Sequence, residues 1–442
     1  MANDIGRRFG GEPPERMGAS AERGAEYTGR YVVLLDQADP ERGLNALRST
    51  AGVAAVERVR GAEPESAAEM LARPGTSVLF DELAVAVVDA QPDQRHALVT
   101  TAEAEPTIIA AEPERVVYAT VITEARQAVT GFFPAYRSDE RELQRFTQTQ
   151  VASQLGPSWD ETTTTWGLQA IRANLSGQTG RGVKVAVLDT GVDTDHPDLT
   201  RSLEETASFV LGQTVEDGKG HGTHCIGTVA GPARPAQGPR YGVATEARVL
   251  AGKVLDNTGT GTDGQILAGI AWAVSHGARV ISMSFGAPVD PGELFPQTYE
   301  QVAQRALQKG TLMVAAAGNE SHRPGFVAAV DRPANCPSIL AVAAVDRAMA
   351  TAWFSCGAIN GQGGEIDIAA PGVDVISAVP NGGLGIKSGT SMATPHVAGT
   401  AALIAQAHPE ASATDLGNRL RSAASPLSQG ADEVGAGLLQ AP

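Results

Sequence analysis

Gly389-Thr390-Ser391-Met392-Ala393-Thr394-Pro395 is the last of three short runs that carry chemistry, after Asp189-Thr190-Gly191 and His221-Gly222-Thr223-His224. A carboxylate, an imidazole and a hydroxyl, each inside a glycine-containing turn motif, are the parts of an activated serine nucleophile. The hydroxyl attacks, the imidazole takes its proton, and the carboxylate holds the ring in one tautomer. Chain order separates the folds that share this chemistry, and here it is Asp, His, Ser. The fold that runs Ser, acid, His needs a Gly-x-Ser-x-Gly elbow; Ala393 stands where its last glycine would be, which excludes it.

Around these runs the chain alternates continuous apolar segments with amphipathic ones. Segments 183–188, 248–254, 280–284, 312–316 and 339–345 are apolar throughout, as strands buried on both faces should be. Helices are predicted over 221–231, 263–276, 296–308, 390–406 and 412–423. The alternation predicts an open parallel sheet with helices on both faces. Asp189, His221 and Ser391 then fall where strands end and helices begin, the usual ligand rim of such a sheet.

Four segments resemble the subtilisin-like serine proteases (subtilases). Val185-Ala-Val-Leu-Asp-Thr-Gly-Val-Asp193 with His196-Pro-Asp-Leu199 resembles the family's aspartate segment, and His221-Gly-Thr-His-Cys-Ile-Gly-Thr228 its histidine segment. Val314-Ala-Ala-Ala-Gly-Asn-Glu320 is similar to the segment of its oxyanion asparagine, and Lys387-Ser-Gly-Thr-Ser-Met-Ala-Thr-Pro-His-Val-Ala-Gly399 to its serine segment. The four stand in the family's order between 166 and 408. The resemblance implies a serine endopeptidase working through an acyl-enzyme. Asp189, His221 (rather than His224), Ser391 and Asn319 are its catalytic residues, with Ser391 at a helix N-terminus where free N–H groups favour an oxyanion. Cys225, four residues after His221, is placed beneath the catalytic ring.

Substrate recognition is implied in the same way. Ser284-Phe285-Gly286 and Ala316-Ala317-Gly318 resemble the two walls of the primary specificity pocket, and Gly259-Thr260-Gly261 the edge that pairs with an extended substrate. Asp331 aligns with the pocket floor, where it either favours Arg or Lys at P1 or pairs with Arg332 or Arg323. No cofactor is required for the chemistry. A structural calcium is implied at Asp367 with the carbonyls of Pro337 and Ile339, whereas the loop 231–240 lacks the asparagine-rich stretch of a second calcium site. Cys336 and Cys356 flank the Asp367 region and are candidates for mutual approach.

Residues 30–119 predict a small ferredoxin-like α+β domain of β-α-β-β-α-β order, with strands at 30–36, 53–60, 77–89 and 107–119 and helices at 40–49 and 92–102. Its close, Ala111-Glu-Pro-Glu-Arg-Val-Val-Tyr-Ala119, resembles the end of subtilase inhibitory pro-domains. Residues 1–29 predict a disordered tail, 120–160 a linker with a helix over 139–155, and 161–442 the subtilisin-like peptidase domain. The whole is then a self-processing zymogen, first cut between Tyr118 and Ile122, whose partners are protein or peptide substrates and its own pro-domain. Two rival readings are a dedicated cytoplasmic maturation protease for one precursor peptide and an inactive binding protein; the intact motifs oppose the second.

Composition excludes other classes. A chain of 442 residues suggests two to three domains. The net charge of −16, with lysine only at positions 184, 219, 253, 309 and 387, offers no stripe for nucleic acid and no attraction to an anionic membrane. Three cysteines make no disulfide framework at this size. The first residues lack the apolar core of a secretory leader, which predicts a cytoplasmic protein, or an extracellular one if exported by another route.

Overall fold

The structure is a computed structural model that describes residues 26–53, 56–59, 64–120, 122 and 157–442. Residues 1–25 of the tail predicted over 1–29 and the predicted helix over 139–155 lie outside the described residues, whereas Tyr27 to Gly29, expected in the tail, already belong to the first strand.

The N-terminal unit runs β1 (Tyr27–Leu35), α1 (Pro40–Thr50), β2 (Val56–Val59), α2 (Pro64–Ala72), β3 (Ser77–Phe80), β4 (Val85–Val88), α3 (Arg95–Ala104) and β5 (Ile108–Ala119). Its strands lie in the order β5-β1-β4-β3-β2. Strands β1, β3, β4 and β5 make the ferredoxin-like core, but the expected layout needs correcting at two places. The segment 77–89 is not one strand: a 3-10 turn over Asp81–Leu83, closed by Ala84 at φ +45°, folds it into the antiparallel pair β3 and β4. The segment near 53–60 is an extra edge strand, β2, parallel to β3 and joined to it through the helix α2.

Period-two alternation explains why 77–89 is so largely apolar. Val33, Leu35, Leu79, Ala86 and Val88 face one way and pack with Leu44, Leu47 and Leu98 of the unit's own helices. Val32, Leu34, Val78, Phe80, Val85 and Val87 face the other way and join the core of the larger unit. Both faces of this small sheet are therefore dry, and the strand run reads as continuous.

The larger unit is a seven-stranded sheet in the order β14-β13-β12-β10-β6-β8-β7, every pair parallel. A short α4 (Trp166–Ala170) precedes β6 (Lys184–Asp189) and β7 (Leu203–Ser208), which lead to α5 (His221–Ala230) and β8 (Arg248–Lys253). Then come the short β9 (Thr260–Thr262), α6 (Asp263–Ser275), β10 (Val280–Met283), the two-residue β11 (Phe285–Gly286), α7 (Gln297–Gln308) and β12 (Leu312–Ala316). The chain closes with β13 (Leu340–Val345), β14 (Ile368–Pro371), the hairpin β15 (Val375–Val379) and β16 (Gly383–Lys387), α8 (Thr390–Ala407) and α9 (Ala413–Ala423). Helix α8 is buried along nearly its whole length and packs on β10, β12, β13 and β14 as well as on α5. Pro395, in its second turn, has no N–H to give the Ser391 carbonyl, and the Ser284 hydroxyl takes that acceptor instead at 2.9 Å. Helix α9 is held by a capping box between Ser412 and Asp415.

The two units are joined through charge placed at helix ends. Glu112 of β5 accepts from Gln297 N at 2.7 Å and Thr298 N at 3.3 Å, at the start of α7. Glu114 accepts from Gly264 N at 2.9 Å, at the start of α6. Both carboxylates meet unpaired N–H groups at the positive end of a helix. In return Arg305 of α7, itself buried, donates to the carbonyls of Leu83 and, at 2.7 Å, Leu35.

Candidate active site

Asp189 is the last residue of β6, and the chain must turn sharply to leave it. Gly191 makes the turn at φ +104°, where a Cβ would lie 2.0 Å from the carbonyl oxygen of Val215. At Gly222 a Cβ would lie 2.2 Å from the carbonyl oxygen of Gly191, so the start of α5 rests directly on the aspartate turn. That contact brings His221 to Asp189: Nδ1 lies 2.7 Å from Oδ1, with both side chains buried.

Asp217 fixes the start of α5 and was not singled out by its sequence context. Its carboxylate accepts from Gly220 N at 2.7 Å, Thr223 N at 2.8 Å and Thr223 Oγ1 at 2.7 Å, and also from Thr190 Oγ1 at 2.8 Å. Thr190 Oγ1 in turn accepts from Gly222 N at 2.9 Å. The aspartate strand and the histidine helix are thus tied through one buried carboxylate. An acid a few residues before a helix start is the cap signature that would have revealed it.

His224 takes no part in this network. Its Nε2 lies 3.0 Å from the carbonyl oxygen of Val375, and burial, then the charge of Lys387, lowers its pKa to about 3. It is a neutral packing residue. Cys225 does lie under the ring, its Sγ 4.0 Å from His221 Nδ1 and 3.6 Å from the Ser391 carbonyl oxygen. Burial, then the Asp189 charge, pushes that thiol well above its ordinary value.

Ser391 is the second residue of α8, after Gly389 at φ +153°. Its Oγ bonds the carbonyl oxygen of Thr120 and, at 3.0 Å, that of Ser284. The Nε2 of His221 has no hydrogen-bond partner among the described residues. Asn319 is held by its own carbonyl Oδ1, which accepts from Thr390 N at 2.9 Å and Thr390 Oγ1 at 3.0 Å. That leaves Nδ2 aimed at the Thr120 carbonyl oxygen, 2.7 Å away.

The end of β5 lies in this site as an extended segment between two short strands. On one side Val116, Val117 and Tyr118 pair antiparallel with Thr262, Gly261 and Thr260, and Ala119 N donates to Gly259 O at 2.9 Å. On the other side Tyr118 and Ala119 pair with Gly286 and Phe285. Thr120 N reaches Ser284 O at 3.4 Å, and beyond it Ile122 bridges Ser388. The segments Gly259-Thr260-Gly261 and Ser284-Phe285-Gly286 therefore meet at one site with Asp189, His221, Ser391 and Asn319. Ala316, Ala317 and Gly318 run from the end of β12 to Asn319, and Ala317 O accepts from Asp331 N at 2.9 Å. Asp331 pairs with neither nearby arginine: Arg332 bonds Asp263 at 3.3 Å and Arg323 bonds Glu433 at 2.7 Å.

The implied calcium ligands do not fit a cation. Asp367 Oδ1 takes Arg421 Nε at 2.8 Å and the second guanidinium nitrogen at 2.7 Å, and Oδ2 takes Ala341 N at 2.7 Å. A guanidinium already neutralises the one carboxylate of the set, which leaves Pro337 and Ile339 to offer only carbonyl oxygens. Cys336 and Cys356 are free and face different partners, the Pro296 carbonyl and the Glu320 carboxylate.

Residues 180–437 match the family model described as Peptidase S8, subtilase family, and the chain belongs to that family. It is accordingly a serine-type endopeptidase, a hydrolase of protein or peptide substrates. Over 267 residues, 59% of this chain, it is 42% identical to Subtilisin of Bacillus pumilus and to Subtilisin E of Bacillus subtilis (strain 168), covering 92% and 66% of those proteins. Subtilisin Savinase of Lederbergia lenta is 40% identical over 280 residues, 62% of this chain and 96% of that protein. Among solved structures, Sphericase superposes with a TM-score of 0.55 at 33% identity, over 64% of this chain and 99% of its own.

Proposed function

We propose that this subtilase is a self-processing zymogen whose first cut falls at the peptide bond that follows Thr120, and that its N-terminal unit (residues 30–119) then remains as inhibitor. The observation that carries this reading is the Thr120 carbonyl, which Asn319 Nδ2 contacts at 2.7 Å while Ser391 Oγ lies against it. A substrate carbonyl in that position is ready for attack.

Asp189 Oδ1 accepts the Nδ1 proton of His221, which leaves Nε2 as the acceptor. As Ser391 Oγ forms its bond to the Thr120 carbonyl carbon, Nε2 takes the hydroxyl proton. The oxygen becomes an oxyanion, stabilised by Asn319 Nδ2 and by the free N–H groups at the start of α8. Collapse breaks the C–N bond, and the imidazolium gives its proton to the departing amine of residue 121. An acyl-enzyme on Ser391 remains, and water, with His221 again as base, releases a carboxylate at Thr120.

Inhibition after the cut is supported by contacts that do not involve the scissile bond. Strand β5 keeps both of its partner strands, and Glu112 and Glu114 keep their helix ends. The test is N-terminal sequencing of purified protein. The wild type should yield a fragment beginning Val121-Ile122-Thr123, and the Ser391→Ala protein should stay one chain. A wild type that is active yet uncut after Thr120 would sink the proposal.

A further inference from the structure

The carboxylate of Asp331 occupies the slot between the two glycines that line the pocket beyond Thr120. A Cβ added at Gly286 would lie 2.8 Å from Asp331 Oδ2, and one at Gly318 would lie 2.7 Å from Asp331 Cγ and 2.8 Å from Glu320 Oε2. Nothing but hydrogen therefore separates either wall from the acids. Asp331 is 1% exposed, and neither of its oxygens receives a hydrogen bond from an N–H or hydroxyl of the described residues; the side chain within its reach is another acid, Glu320. Ligand atoms of Glu320, Asp331 and the Cys356 thiol lie within 4.8 Å of one another. Glu320 commits one oxygen to Asn319 N at 2.6 Å and to the Cys356 thiol at 3.3 Å.

A carboxylate without a donor in a dry slot is costly to ionise, and a cation is the partner that offsets that cost. Arg323 and Arg332, the cations nearest in sequence, are each bound to another acid. Thr120, the residue now seated above the slot, is too short to help, since its hydroxyl lies 2.5 Å from Ser391 Oγ. Burial, then the neighbouring Glu320 charge, pushes Asp331 well above the usual carboxylate range, so a cation beside the pair is what lets both acids ionise.

We propose that Asp331 and Glu320 form the recognition site for a cationic P1 side chain, arginine or lysine, so that the mature enzyme cleaves after basic residues. The proposal rests on the catalytic reading above. A guanidinium or ammonium carries donors and no acceptor, which complements a pair of carboxylates that has acceptors and no donor. An apolar P1 side chain would leave Asp331 unpaired, so the same group that attracts a base rejects leucine. Self-cleavage after Thr120 does not contradict this. The tail is tethered in the site by two strand pairings, and intramolecular presentation offsets a poor P1 residue.

The experiment uses processed enzyme, with active sites counted by a fluorophosphonate so that failure of the nucleophile is seen separately. Peptide p-nitroanilides that differ only at P1 (Arg, Lys, Leu, Phe) then give kcat/KM ratios. Arg and Lys should exceed Leu and Phe by about 10-fold or more in the wild type. In Asp331→Asn and Asp331→Ser the Arg/Leu ratio should fall about 30-fold or more, the scale for losing one partner of a buried charge pair. Glu320→Gln should lower the same ratio; any effect on Asn319 changes all substrates alike and cancels. Preference for Leu or Phe in titratable wild-type enzyme overturns the proposal, as does an Arg/Leu ratio unchanged in both Asp331 variants. Enzyme that takes no label overturns the catalytic reading and this proposal with it.

Discussion

The side-chain amide of Asn319 donates to the carbonyl oxygen of Thr120 at 2.7 Å, linking the end of the N-terminal unit to a residue 199 positions further on. The amide cannot rotate away, because Thr390 N and Oγ1 both hold its Oδ1. The donor is thus set before any charge develops, which is the condition for stabilising an oxyanion without reorganisation.

Removal of that donor should act on the transition state more than on the ground state. Asn319→Ala is expected to lose about 10²–10³ in kcat with little change in KM, the scale for one oxyanion donor. Steady-state kinetics on a peptide amide check it. An equal loss carried by KM would assign Asn319 to binding.

Asp189→Asn should keep the fold and lower kcat by about 10⁴, because an amide facing His221 Nδ1 favours the wrong tautomer. The loss should shrink at high pH if hydroxide partly replaces the base. A kcat within about 10-fold of wild type would remove Asp189 from the mechanism.

The enzyme half was legible because its signals are local. The apolar runs and the glycine-flanked Asp189, His221 and Ser391 lie within single elements, and the strands at 184–189, 248–253 and 312–316 end within a residue or so of where periodicity places them. The N-terminal unit was less legible, because what buries its second face lies far along the chain. Phe80 and Val85 belong to different strands, yet both are fully buried, and only the pair Asp81-Glu82 interrupts the apolar run between them. The turn itself rests on Ala84, whose left-handed backbone no residue type announces. Glu112 and Glu114 look like ordinary alternating strand acids; only the folded chain shows that each meets a helix end. The calcium ligands failed for a similar reason, since nothing near Asp367 announces Arg421.

The three cysteines should behave as inert thiols. All are buried, and burial raises each thiol well above its ordinary value, so the reactive thiolate is scarce. Titration with a disulfide reagent should find almost none in folded Ser391→Ala protein and three per chain after denaturation. One thiol after denaturation without reductant would show a bridge instead.

Two buried histidines should make the protein acid-sensitive. Burial, then Lys387, lowers His224 to about 3, and burial lowers His396 to about 4, both from an ordinary 6.5. For each, the unfolded chain binds a proton at a pH where the folded one does not. The stability they allow is complete above pH 6.5 and is lost as pH falls from there toward 4. Each contributes a slope of about 1.4 kcal/mol per pH unit inside that window. The urea midpoint of Ser391→Ala protein should fall steadily from about pH 6.5 to about 4.5, and less steeply in His396→Gln. A flat midpoint over that range would mean that both rings charge in place.

Glu114 should decide how long the N-terminal unit stays bound after the first cut. It is fully buried, and its carboxylate is shared between the two units: Oε1 accepts from Gly264 N at 2.9 Å, and the pair of oxygens clamps Arg30 at 2.6 and 3.0 Å. Beside it Arg115 N donates to Asp263 Oδ2 at 2.8 Å, so Glu114 and Asp263 each satisfy a backbone N–H of the other unit. Glu114→Ala leaves the Gly264 N–H of the other unit without its acceptor, while Arg30, in the same unit as Glu114, keeps the Leu71 carbonyl. Across the interface the loss is that of a buried N–H left without its acceptor, about 1–3 kcal/mol, which is about 5- to 150-fold in dissociation of the cut complex. Neither the scissile carbonyl nor the Ser391, His221 and Asp189 side chains touch Glu114, so the cut after Thr120 should still occur. The expected phenotype is therefore a protein that processes at its usual position but shows peptidase activity early, at concentrations where wild type remains latent. Activity measured against time after dilution, with fragments followed on gels, separates the two steps. Unchanged latency with normal processing would place the inhibitory contacts in the backbone pairing of β5 rather than in the Glu114 carboxylate.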